Sequence, residues 1–116
     1  MKLSDCIFCK IAKGEIPSEV IYEDDKIVAF NDVNPQSPIH FLVIPKEHIE
    51  SSNDIDEKNS HLVGHVFLVI KKLTEELGVA KEGYRIVNNC GENGGQTVPH
   101  MHFHILAGRK LSWPPG

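Results

Sequence analysis

Cysteine is scarce in this chain and its count is odd, since Cys6, Cys9 and Cys90 leave one thiol over in any disulfide framework. Free thiols or metal ligation in a reducing compartment follow, so the expected location is cytoplasmic. Long apolar runs are also missing. Val66–Ile70, the longest in the helical region, falls far short of the roughly twenty residues that span a bilayer. Met1–Lys13 has no apolar stretch of signal-peptide length, and no membrane partner is expected. Nor does the chain contain a Lys/Arg-rich run. Twelve basic against sixteen acidic residues give a formal charge of −4, without the basic stripe that follows the phosphates of polymeric nucleic acid. Internal repeats, low-complexity tracts and interdomain linkers are lacking too, so residues 1–116 are expected to form one domain.

What remains is an ordinary globular mixture, 41% hydrophobic and 24% charged. A chain this short buries a modest share of its surface, and a further interface or a structural metal is a natural supplement. Asp5 before Cys6–Lys13, with Gly14 after, carries the cap and stop residues of a short helix. Val20–Tyr22 and Ile27–Phe30 flank the polar Glu23-Asp24-Asp25 turn and read as a hairpin, and Phe41–Ile44 reads as a third strand. Leu62, Val63, Val66, Phe67, Ile70, Leu73 and Leu77 recur at helical spacing and Gly78 follows, which predicts a long amphipathic helix. Tyr84–Asn88 and His100–Leu106 supply two more strands. The order of elements is that of an α+β fold with an antiparallel sheet.

The last strand carries the chemistry. His100, His102 and His104 alternate with Met101, Phe103 and Ile105, so the imidazoles share one face and the apolar side chains the other. A strand built for stability alone would use β-branched or aromatic residues there. Imidazole acts near neutral pH as nucleophile, base or metal ligand. The preceding loop, Asn89–Thr97, is rich in glycine. Gly94 and Gly95 let the backbone approach a ligand with exposed N–H groups, with Gln96 and Thr97 as donors beside them, an arrangement suited to a phosphate.

Cys6-x-x-Cys9 has the spacing of half a zinc site, for which His48 and His100 are the candidate remaining ligands, although buried thiols or a redox pair share that spacing. His61 and His65, four apart on the long helix, lack the glutamate of a metalloprotease helix and read as helix-surface or loosely packed histidines. Cys90 has no activating neighbour in sequence and reads as structural or incidental. Asp32, before Val33-Asn34-Pro35, suits either a turn or a pair of sugar hydroxyls.

His100-Met-His-Phe-His-Ile-Leu106 resembles the signature of the histidine triad (HIT) superfamily. The likeness extends through Asp5–Ile11, Ile21–Asp25, Phe30–Asp32, His40–Lys46 and Gly94–Gln96 to Trp113-Pro-Pro-Gly116. The closing tetrapeptide and the short length are similar to its nucleotide-binding branch. That resemblance implies a HIT-like fold with a five-stranded antiparallel sheet, one long and one short helix, and a homodimer in which two sheets join into one of ten strands. It also implies hydrolysis of the P–N bond of purine nucleoside 5′-phosphoramidates, AMP-NH2 or AMP-lysine among them, with no organic cofactor.

By the same resemblance His102 is the nucleophile, and His104 with Gln96 and Thr97 holds the phosphate oxygens. Thr97 helps pass a proton to the leaving amine and His40 orients the row. Asp32 takes the ribose, with Val33, Asn89 and Gly95 beside the nucleotide. Ile7, Phe8, Ile11, Phe30 and Leu42 form the purine slot. Cys6, Cys9, His48 and His100 hold a structural zinc, which some relatives lack without losing activity. Alternatives are hydrolysis of dinucleoside polyphosphates or adenylyl sulfate by the same histidine, or a nucleotide- or partner-binding module whose hydrolysis is incidental.

Overall fold

Residues 5–116 are described in the computed structural model. Its elements run α1 (Ile7–Ala12), β1 (Val20–Glu23), β2 (Ile27–Asn31), β3 (Ile39–Pro45), α2 (Ser60–Glu76), β4 (Arg85–Val87), α3 (Gly91–Gly94) and β5 (Phe103–Ala107), with a 3-10 turn at Ser52–Asp54. The five strands form one antiparallel sheet in the order β1-β2-β3-β5-β4. The α+β architecture matches the sequence expectation, with one helix more. The glycine-rich loop contains α3, a single turn closed by Gly95 at φ 83°.

Both faces of the sheet are covered at its centre, which is why Ile27–Phe30 of β2 and Phe41–Ile44 of β3 are runs of apolar residues instead of alternating. Ile27 and Ala29 of β2, Phe41 and Val43 of β3, and Phe103 and Ile105 of β5 point to one side, where Leu62, Val66, Val69, Ile70 and Leu73 of α2 pack on them. Burying a side chain of this size contributes roughly 1.5–3 kcal/mol. Alternate residues Val28, Phe30, Leu42 and Ile44 point to the other side, against Cys6, Phe8 and Cys9. The sheet therefore divides the core in two.

The two covers differ in length. Helix α2 has 17 residues, but α1 has only six and roofs part of its face, leaving the remainder as an open cleft. Cys6, and not Asp5, caps α1; its sulfur accepts from Cys9 N–H at 3.3 Å. On α2 Phe67 is 46% and Leu68 65% exposed, and Leu77, which caps the helix, is 46% exposed. His65 is not a free surface histidine, since its Nε2 lies 2.6 Å from Asp24 Oδ2 and ties α2 to the β1–β2 turn. No helix among the described residues is long and apolar enough to cross a membrane.

Candidate active site

The ladder ends before the row does. Regular pairing of β5 begins at Phe103; His100 lies in the bend, and His102 in the unpaired stretch, ahead of it. The alternation persists, so Met101 joins the α2 side of the core while His100, His102 and His104 face the α1 side. The row is not a solvated face, since His100 is fully buried and His102 is 4% exposed.

Each ring is fixed by what holds its other nitrogen. His102 Nδ1 donates to the His100 carbonyl at 2.7 Å, which leaves Nε2 as the lone-pair nitrogen. The Asn88 side chain grips the His102 carbonyl at 2.8 Å, and the Phe8 ring stands edge-on to the imidazole at 5.0 Å. His40 Nδ1 accepts the Gln36 N–H at 3.0 Å. Its Nε2–H therefore donates to His104 Nδ1 at 2.9 Å, and His104 in turn keeps its proton on Nε2. The contact arises because Leu42 pairs with His104 and His40 with Leu106, placing the two histidines on a diagonal across β3 and β5. Asp32 Oδ2 lies 3.5 Å from His40 Nε2, and its Oδ1 accepts the Asn34 N–H at 2.8 Å.

Burial keeps these rings neutral. Desolvation lowers His102 and His40 below the ordinary histidine value, and takes His104 to about 4, with His102 and His40 adding to the shift. A neutral imidazole with a bare nitrogen stands beside a neutral one that offers an N–H. That pair can attack an electrophilic centre and hydrogen-bond the charge developing on it.

The cleft, about 420 Å³, ends at this pair. Ile7, Phe8, Ile11, Phe30 and Leu42 make its apolar wall; Asp32 and Val33 stand at one margin and Thr97 beside the histidines. Val33 is fully exposed. Three expected residues lie off the cleft. Gly95 and Gln96 border a neighbouring, wider hollow of about 630 Å³ that shares Thr97, and Asn89 lines neither. Of the N–H groups expected to face a ligand, that of Gly95 donates to the Glu92 carbonyl, and the neighbouring Gln96 N–H donates to the Gly91 carbonyl. The Gln96 side chain is engaged as well, accepting from Gly91 N–H at 2.9 Å and donating to the Glu50 and Val98 carbonyls at 2.7 and 3.0 Å. Ile16, Pro17, Ser18, Asn31 and Val98 line the cleft without any sequence signal, as Gln36 and Asn88 support it.

Below the cleft, Cys6, Cys9, His48 and His100 bring their four ligand atoms within 4.8 Å of one another. His100 Nε2 donates to the Pro45 carbonyl at 2.8 Å, which turns Nδ1 toward Cys6 Sγ at 3.3 Å and Cys9 Sγ at 3.5 Å. His48 Nδ1 is 3.2 Å from Cys9 Sγ. Burial and the adjoining Cys6 push the Cys9 thiol up to about 11, a cost that a bound cation would reverse. The set suits a metal ion.

The HIT domain model matches residues 13–111. The chain belongs to the HIT domain family. An uncharacterized HIT-like protein of Synechococcus elongatus is 49% identical over 112 residues, 97% of either chain. Among solved structures, a histidine triad protein from Clostridium difficile superposes with TM-score 0.93 at 54% identity, covering 97% of both chains. A HIT family hydrolase from Legionella pneumophila gives TM-score 0.95 at 48% identity, over 97% of this chain and all of that one. A histidine triad nucleotide-binding protein from Candida albicans gives 0.80 at 36%, over 95% and 83%. The five-stranded sheet with His102 and His104 on its cleft face is thus the HIT fold of this chain.

Proposed function

We propose that this HIT protein is a purine nucleoside phosphoramidase, cleaving the P–N bond of nucleoside 5′-phosphoramidates such as AMP-NH2 or AMP-lysine. The observation that carries the reading is the Nδ1–H bond from His102 to the His100 carbonyl at 2.7 Å, which frees Nε2 beside an apolar cleft wide enough for a nucleotide. His102 Nε2 attacks phosphorus, the P–N bond breaks, and the amine leaves with a proton that the Thr97 hydroxyl relays from solvent water. Water then hydrolyses the nucleotidyl-histidine and frees the ring. His104 Nε2–H holds a phosphate oxygen, and His40, bonded to its other nitrogen, fixes that tautomer. Asp32 takes the ribose, and the purine fills the slot of Ile7, Phe8, Ile11, Phe30 and Leu42. Val33 becomes covered when the nucleotide binds, while Asn89, Gly95 and Gln96 act through the shape of the loop.

Zinc is the metal that fits Cys6, Cys9, His48 and His100. A tetrahedron with Zn–S of about 2.3 Å and Zn–N of about 2.1 Å has S···N edges of about 3.6 Å, against 3.2–3.5 Å for the three such pairs here. Four protein ligands would leave no open position, so a bound ion would tie α1 to the segments after β3 and before β5 and would take no part in the reaction. A cytoplasmic homodimer, one domain per chain, is supported by the half-exposed Phe67 and exposed Leu68 and by β4, an edge strand open to pairing.

Amine release from adenosine 5′-monophosphoramidate, compared between wild type and His102→Ala, tests the reaction. Turnover lost by at least a thousandfold (~10³) in the variant is expected. Turnover of adenylyl sulfate or a dinucleoside polyphosphate, but not of phosphoramidates, would reassign the leaving group. Binding without any turnover would leave a nucleotide-binding module.

A further inference from the structure

One atom in the cleft wall is left without a partner. Among the described residues, Ser18 Oγ is the single buried side-chain oxygen or nitrogen that makes no hydrogen bond, although buried hydroxyls are rarely left so. Ser18 lines the cleft. Strand pairing sets it beside Asp32. Val20 pairs with Phe30 and Asn31 N–H donates to the Glu19 carbonyl at 3.0 Å, so residue 18 comes opposite residue 32. Ser18, Phe30 and Asp32 line the same cleft. Its main chain is anchored, with the Ser18 carbonyl accepting from Val20 N–H at 3.1 Å. The hydroxyl is not, and a turn to another staggered χ1 well breaks no hydrogen bond.

Asp32 supplies only acceptors, and two of its contacts are already made, with Asn34 N–H and His40. A sugar hydroxyl that gives its proton to Asp32 keeps lone pairs that need a donor. We propose that Ser18 is that donor: on binding, its hydroxyl turns into the cleft and donates to the 2′-hydroxyl held by Asp32, so that the site selects ribonucleotides over 2′-deoxyribonucleotides. The inference rests on the nucleotide reading above and adds the sugar specificity.

The test compares wild type with Ser18→Ala, which removes one oxygen and leaves the fold intact. The readout is the ratio of kcat/KM for adenosine and 2′-deoxyadenosine 5′-phosphoramidates. A fall of roughly fivefold in that ratio is expected, the value of one ordinary hydrogen bond, with Ser18→Thr keeping most of it. An unchanged ratio, whether activity drops equally on both substrates or on neither, overturns the assignment. Calorimetric titration with AMP and 2′-deoxy-AMP separates this result from the hydrolase reading. A ribose-selective loss of affinity in Ser18→Ala supports the role of Ser18 even if the protein turns over no phosphoramidate. Failure of wild type to bind either nucleotide overturns it.

Discussion

Burial sets the protonation of the histidines, and pH dependence follows with a definite sign. In the unfolded chain His104 takes up a proton near pH 6.5; in the folded chain it does so only at about 4, first because of desolvation and then because of His102 and His40. The unfolded state therefore binds more protons between these values. The contribution of His104 is fully present above about pH 6.5 and is lost as pH falls toward 4. Urea unfolding at pH 7 and pH 5 checks this: the midpoint drops at pH 5, and by less in His104→Asn. An equal drop in both proteins would locate the effect elsewhere. That three alternating histidines share one face was legible from the sequence. Their tautomers were not, since the partners that fix them are the main-chain carbonyls of Pro45 and His100 and the N–H of Gln36, groups every residue type carries.

The site exists because α1 is too short to roof its face of the sheet, and Gly14 and the polar residues around it mark that limit in the sequence. Strand boundaries were less legible. The row was read as strand from His100, whereas pairing starts at Phe103, because Met101 N–H goes to the Ile49 carbonyl at 2.6 Å instead of to β3. The loop before it was read as open backbone, yet it forms a single helical turn in which the N–H groups of Gly95 and Gln96 are engaged. At the far end of β5 the chain turns at Gly108, whose φ is +93° and where a Cβ would stand 2.8 Å from Pro38 Cβ. Gly108→Ala is expected to cost about 1–3 kcal/mol, measured by urea unfolding. A loss below a few tenths would mean that the β5 exit and the Pro38 segment yield freely.

At the scale of the whole molecule, a sheet with a long helix on one side and a short one on the other gives a stable half and a working half. The Cys6, Cys9, His48 and His100 cluster fastens the weaker cover to β3 and β5. Chelation, or Cys9→Ser, is expected to lower the melting temperature by several degrees (~4–8 °C per kcal/mol for a domain near this size) while turnover at low temperature persists, since His102 Nε2 is no ligand. Turnover abolished with an unchanged melting temperature would make the metal a participant in the reaction. The short length alone pointed to a further interface or a structural metal as a supplement to a small core. The CxxC spacing showed half of the ligand set, and the fold brings His48 and His100 to it.

The reaction proposed for this protein runs through His102 Nε2. Rapid quenching of the protein during turnover of a phosphoramidate, followed by peptide mapping and phosphorus–nitrogen NMR of the adduct, tests it most directly. The geometry predicts a nucleotidyl group on His102 at Nε2. An adduct at Nδ1, at another residue, or none at all during demonstrable turnover would contradict it.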